Sequence, residues 1–316
     1  MFQEIPTYSP HFGDIGRVDH SIVESHGSIG AYNIEEVLGR GYYGSVRRAV
    51  KRDTNEHFAI KIIQKEKVNR ADFPSLAVEC RALLRFPHPN IIRAKEVIHA
   101  SENIYIVTEI AARDLFSYYK ECNLNDITAK ELALGLLLPL AHLHNHGICH
   151  LDLKPENVLL TTTARDFTHA DVRLADFGLA RMAPRSGETP DVIVDGVCCG
   201  TRGFFAPEMS LRRDEYVGQH ADMWSLGALL LENPFGFQKE WHRSYAQAEY
   251  DPEFFHDGLQ MCLDELTADR FPGALGDMVE FLHCLLKVNP SERTTASLAL
   301  RHPWLEEVVQ PEVFED

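Results

Sequence analysis

The stretch HLDLKPEN, from His150 to Asn157, decides how this chain is read, together with DFG at Asp176 to Gly178 and APE at Ala206 to Glu208. Moving a phosphoryl group from a nucleoside triphosphate needs a carboxylate beside the attacking hydroxyl, hard oxygen ligands for a divalent cation, and positive charge on the phosphates. These stretches, with a lysine further upstream, supply all three. An acid, a lysine or an asparagine alone is an ordinary solvated loop residue, so the weight rests on the ordered set.

Upstream, Gly39, Gly41 and Gly44 form GxGxxG inside LGRGYYGSV, with Val46 two residues later. That pattern is weak by itself, because two nucleotide folds use it. A dinucleotide-binding unit needs the glycines between a strand and a helix, whereas a phosphate-covering turn needs them between two strands. Here SVRRAV alternates and carries valines, and FAIK arrives as the next strand, so the two-strand reading is preferred. Leu76, Cys80, Leu83 and Leu84 fall near one helical stripe between Ser75 and Arg85, which puts Glu79 on a helix following Lys61.

The glycine turn, the FAIK lysine, the helix acid, HLDLKPEN, DFG and APE occur in family order from about Tyr32 to Trp304, and the chain resembles the eukaryotic protein kinase superfamily. The resemblance implies an α+β bilobal kinase fold: a small antiparallel-sheet N-lobe with one main helix, and a larger, mostly helical C-lobe. It divides the chain into an N-terminal extension (1–31), an N-lobe (32–110), a C-lobe (111–308) and a short acidic tail (309–316).

The resemblance also assigns roles. Asp152 orients the acceptor hydroxyl and takes its proton, and Lys154, the serine/threonine-class residue, sits near the transferring phosphate. Lys61 holds the α- and β-phosphates of ATP and pairs with Glu79. Asn157 and Asp176 ligate Mg²⁺, a hard cation suited to such oxygens. Leu38, Gly39, Gly41, Gly44, Val46 and Ala59 surround the nucleotide from one side and Leu159 from the other. Thr108 guards the back of the adenine pocket, and Glu109 and Ala111 offer it backbone hydrogen bonds. Phe177 is expected against His150 and Leu83, Gly200 and Thr201 at the substrate residue, Glu208 paired with Arg293, and Asp222 beneath the catalytic loop.

YNIEEVLGRGYYGSV, HFAIKII and VNPSERTTASLALRHPWL look most like the group containing the calcium/calmodulin-dependent kinases. No basic amphipathic helix follows Trp304 and no DxDxDG loop occurs, so calcium control is not expected. Three features depart from the family pattern. Leu151 stands where arginine usually meets a phosphorylated activation segment, and leucine cannot make that ion pair. Activity independent of phosphorylation between Asp176 and Glu208 is therefore expected, with Ser186 and Thr189 the candidate sites in that stretch. NPFGFQKEW after Glu232 is shorter than usual, and Pro139 interrupts an apolar helix spanning Ala129 to His146, where it should kink it. The competing readings are a pseudokinase or scaffold, for which Leu151 is the support, and a small-molecule kinase, which APE disfavours.

Composition sets outer bounds. The 316 residues are 45% hydrophobic, enough for two substantial cores. Residues 32–110 hold 13 Lys and Arg against 10 Asp and Glu, while residues 111–316 hold 17 against 33. An acidic C-lobe argues against nucleic-acid binding and for protein substrates with basic residues near the acceptor. MFQEIPTYSP is no signal peptide, and the apolar run Leu132 to Leu143 is too short to span a bilayer, so no membrane association is expected. Seven cysteines without paired CxxC spacing fit a reducing compartment, cytoplasmic or nuclear, for a monomeric kinase domain. Cys198 and Cys199 are redox candidates, though buried inert thiols are the commoner case.

Overall fold

The computed structural model describes residues 17–18, 24–25, 27–41, 43–69, 72–183, 191–195, 199–210, 215–232, 264 and 274–309, and the chain divides after Ala111 into two compact units. Ser186, Thr189, Cys198, the NPFGFQKEW stretch and the tail from residue 310 lie outside the described residues.

The first unit is built on one sheet. Its strands are β1 (Arg17–Val18), β2 (Glu24–Ser25), β3 (Ser28–Ile29), β4 (Tyr32–Arg40), β5 (Gly44–Lys51), β6 (His57–Gln64), β7 (Ala94–His99) and β8 (Asn103–Glu109), in the order β1-β7-β8-β6-β5-β4-β3-β2. Every pairing is antiparallel except β1 with β7. The alternation expected from Tyr32 onward is present, but residues before it also join the sheet, at both of its edges. Two-residue strands carry no readable period, which hid them. Ile29 is fully buried with Tyr32, Phe58, Ile60, Ile98 and Val107. Tyr32 meets Phe58 edge-on at 5.5 Å and its hydroxyl donates to Glu96 at 2.6 Å.

Helix α1 (Phe73–Arg85) starts with Pro74 in its first turn, where a missing N–H costs nothing. It buries Leu76, Ala77, Cys80 and Leu83, and its last residue precedes Phe86-Pro87, as chain restriction before proline requires.

The second unit contains β9 (Arg113–Asp114), α2 (Leu115–Glu121), α3 (Asp126–Asn145), β10 (Ile148–Cys149), β11 (Val158–Leu160), β12 (Val172–Leu174), β13 (Arg181–Met182), β14 (Ile193–Asp195), α4 (Pro207–Ser210), β15 (Glu215–Val217), α5 (Gly218–Glu232), α6 (Ala274–Leu285) and α7 (Ala296–Ala299). Asp114 caps α2 by accepting from the Ser117 amide, and Asn125 caps α3 by accepting from that of Thr128. Leu132, Leu136, Leu140, Trp224 and Phe281 are fully buried, so α3, α5 and α6 make the core. The distortion expected at Pro139 does not interrupt α3, which runs helical through it. No described helix is long and apolar enough to cross a membrane.

Candidate active site

In the first unit, direct cross-strand partners share a sheet face. Val46 opposes Lys61 and Ala59 opposes Thr108, while Ala59 and Lys61 are two apart on β6, so all four project from one face. Lys61 Nζ lies 2.6 Å from Glu79 Oε1, with the Glu79 side chain almost fully buried on α1. A buried carboxylate paired with a lysine holds that ammonium at a fixed place. Thr108 turns its hydroxyl to the Ala59 carbonyl at 3.4 Å, and the Glu109 amide donates to the Arg93 carbonyl. Leu38 leaves about half its surface exposed, unusual for a leucine inside a strand.

The glycine hairpin separates two kinds of glycine. A Cβ on Gly44 would lie 1.8 Å from the Ile62 carbonyl oxygen, so Gly44 is demanded by strand packing. A Cβ on Gly39 or Gly41 would meet nothing within 4 Å. Protein packing leaves the space beside them open, as a loop covering phosphates requires.

In the second unit, Asp222 organises the catalytic stretch from the start of α5. Fully buried, it accepts the His150 amide at 2.8 Å on Oδ2 and the Leu151 amide at 2.7 Å on Oδ1. His144 Nε2, from the last turn of α3, lies 2.9 Å from the same Oδ2. These bonds hold Leu151 at φ 65°, a left-handed conformation costing about 1–2 kcal/mol for a non-glycine residue. His150 accepts the Asp152 amide on Nδ1 at 3.2 Å and places Nε2 3.1 Å from the Ala175 carbonyl, which fixes the neutral tautomer with its proton on Nε2. The His150 ring meets Phe177 at 4.9 Å between centroids. Leu83, its other expected neighbour, is buried in the first unit.

Three side chains converge on the Asp152 carboxylate. Asn157 Nδ2 donates to the Asp152 carbonyl at 2.8 Å and to Oδ2 at 3.0 Å. Lys154 Nζ is 3.1 Å from Oδ2 and donates to Thr201 Oγ1 at 2.7 Å, and that hydroxyl donates to Asp152 Oδ1 at 2.8 Å. The carboxylate is thus held on both oxygens, with a serine/threonine-type hydroxyl already on one of them. Gly200 brings Thr201 there: its φ is 93°, and a Cβ would lie 2.7 Å from the Leu151 carbonyl oxygen.

The metal-ligand candidates fit the group proposed for them. Because Asn157 spends its amino group on Asp152, its Oδ1 is the end left for a cation, and Asp176 is exposed with φ 59°. Among the described residues no group of three or more His, Cys, Asp or Glu is placed to hold a metal ion. One carboxylate and one amide suit a cation that brings waters and phosphate oxygens with it. Leu159 lies half-buried on β11, opposite Arg173 and Asp114.

The scaffold contacts are also in place. Glu208 and Arg293 form a bidentate pair at 2.6 and 2.7 Å, both side chains essentially inaccessible, and Arg293 further donates to the carbonyls of His220 and Lys287 and lies 5.0 Å from the Trp224 ring centre. Two contributions were missed from sequence. The His144 contact with Asp222 joins positions 78 apart and the Thr201 bond to Asp152 positions 49 apart, so neither leaves a signal in local spacing.

Comparison with known proteins decides the family: residues 32–305 match the protein kinase domain. The chain belongs to the protein kinase family. It is similar at 32% identity over 301 residues to a Dictyostelium discoideum protein named "Probable myosin light chain kinase", covering 94% of this chain and 70% of that one. Myosin light chain kinase A of the same organism is 32% identical over 276 residues, covering 87% and 88%. The calcium/calmodulin-dependent protein kinase type II alpha chain of Drosophila melanogaster is 32% identical over 291 residues, and there the alignment takes in 87% of this chain but only 49% of the relative. The bilobal fold, the serine/threonine class and the likeness to the calcium/calmodulin-dependent group are borne out, and the family implies ATP as phosphoryl donor with a divalent metal.

Proposed function

We propose that this kinase transfers the γ-phosphate of ATP, with Mg²⁺, to serine or threonine hydroxyls of protein substrates, without needing phosphorylation of its own activation segment. The observation that carries the reading is the Thr201 hydroxyl held 2.8 Å from Asp152 Oδ1 and 2.7 Å from Lys154 Nζ. Both groups can serve an incoming hydroxyl: Asp152 orients it and takes its proton, and Lys154 keeps positive charge beside the phosphoryl group as it moves. Asn157 keeps Asp152 from turning away and offers Oδ1 to the cation together with Asp176. When bound, Mg²⁺ would be held by Asn157 and Asp176 and would supply neutralisation of the phosphate charge. Lys61, fixed by Glu79, does the same for the α- and β-phosphates, and Gly39 and Gly41 leave room for them.

Leu151 is apolar and buried, so it offers nothing to a phosphate. The acidic composition of residues 111–316 supports substrates with basic residues near the acceptor and argues against nucleic acid as partner. A monomeric state and a cytoplasmic or nuclear location complete the proposal, the latter resting on cysteine usage.

The test is transfer of labelled phosphate from Mg·ATP to a basic protein substrate, with Asp152→Asn as comparison. Transfer reduced about 10²–10⁴-fold in the variant is expected, along with its loss in EDTA and equal wild-type rates before and after phosphatase treatment. Transfer unchanged in the variant sinks the assignment of the base, and a wild type silenced by phosphatase sinks independence.

A further inference from the structure

Without an arginine at position 151, the stretch between DFG and APE needs another hold, and the second unit contains one. Residues 191–195 come onto β14, which pairs antiparallel with β15 through Ile193 with Val217, Val194 with Tyr216 and Asp195 with Glu215. The strand alternates as a half-buried strand should: Ile193 and Asp195 are exposed, whereas Val192, Val194 and Tyr216 are buried. Both backbone groups of Val192 are engaged, its amide with Gln219 Oε1 at 2.9 Å and its carbonyl with the Gly218 amide at 2.9 Å. Gln219 is itself buried. A Cβ on Gly218 would lie 2.3 Å from Cys149 Sγ and 3.4 Å from Val194 Cγ2, so the bare glycine lets the strand before His150 and the activation segment close on the same point. Further along, Cys199 Sγ lies 3.6 Å from the Tyr216 hydroxyl, and Thr201 reaches Asp152.

We propose that the β14–β15 ladder, closed by Gln219 on the Val192 amide and by Val194 packed at Gly218, is a phosphate-independent latch on the activation segment, and that the Gln219 and Val194 side chains are positioning residues for protein substrate. The inference rests on the kinase reading above and names how its site is held ready. A phosphate–arginine contact is ionic and switchable, whereas this latch is apolar packing plus backbone bonds, present as soon as the chain folds.

The test uses the full chain after phosphatase treatment and reads two things separately. Hydrogen exchange is expected to find the amides of residues 192–195 and 215–219 protected in the dephosphorylated protein. Gln219→Ala, which removes the acceptor for the Val192 amide, is expected to speed exchange there about tenfold and raise KM for a peptide substrate by a similar factor, leaving KM for ATP unchanged. Gln219→Glu keeps the oxygen and should restore both. Should Gln219→Ala fail to fold, Val194→Ala trims the apolar anchor alone and is expected to move both readouts the same way. Unprotected amides in the dephosphorylated wild type overturn the latch. So does faster exchange with unchanged peptide KM, which would make the ladder merely structural. Protected amides in a wild type that transfers no phosphate would retain the latch as the hold on the segment and remove the kinase reading instead.

Discussion

At the scale of single residues, the three glycines of one motif are held by different demands, and substitution should separate them. Gly44→Ala drives a methyl into the Ile62 carbonyl, backbone that cannot step aside, and is expected to destabilise the chain by about 1–3 kcal/mol in urea unfolding. Gly39→Ala and Gly41→Ala face open space, so their unfolding midpoints should stay close to wild type while KM for ATP rises. An unfolding loss at Gly39 equal to that at Gly44 would contradict the division. Cysteines divide in the same manner. Burial pushes the Cys149 and Cys80 thiols well above the ordinary thiol range, so they stay protonated at pH 8. Neither should be alkylated by iodoacetamide until the protein is denatured, as peptide mass mapping would show. Sequence reading singled out Asp152, Lys154, Asn157 and Asp176 as an ordered set at short spacing, and the structure brings Lys154 and Asn157 onto Asp152. It could not reach Thr201 on Asp152 Oδ1, because that bond joins positions 49 apart and depends on Gly200 at positive φ.

At the scale of elements, α5 gathers loops that are distant in the chain. Asp222 on its first turns holds the catalytic stretch, and the carbonyl of His220 receives Arg293, which clamps Glu208 of α4. Removing one member of a pair so fully buried leaves the other charge without compensation, worth about 3–5 kcal/mol. Glu208→Ala is expected to lose that much in denaturant unfolding, whereas replacing both Glu208 and Arg293 by apolar residues should cost less than the two single changes together. Additive losses would show that the two side chains do not act as a pair. The longer elements were legible because their apolar periods run over many residues: α1 is observed within two residues of its expected start and ends where expected. β1, β2, β3, β14 and β15, each two or three residues long, show no period. Their pairing is set by tertiary context, which is why the segment before Tyr32 read as an extension and the ladder on the activation segment was not foreseen.

For the whole molecule, pH should act through histidines that folding keeps neutral. Burial lowers the pKa of His220 below its ordinary value, with the Arg293 guanidinium adding to it, and burial does the same to His302 beside Phe281. Glu208, Asp191 and Glu280 act in the opposite direction without overcoming burial. The sign follows from proton counting. Below about pH 6.5 the unfolded chain protonates these imidazoles while the folded chain does not, so the unfolded state binds more protons and gains relative stability as pH falls. Their contribution is therefore complete above the unfolded value and is lost as pH drops through the folded values. Carboxylate titration lies lower, so unfolding midpoints measured between pH 7.5 and 5.5 isolate the histidines. Wild type should lose stability across that window, and the double variant His220→Gln, His302→Gln should show a flatter profile. A double variant as steep as wild type would place the acid sensitivity outside these two imidazoles.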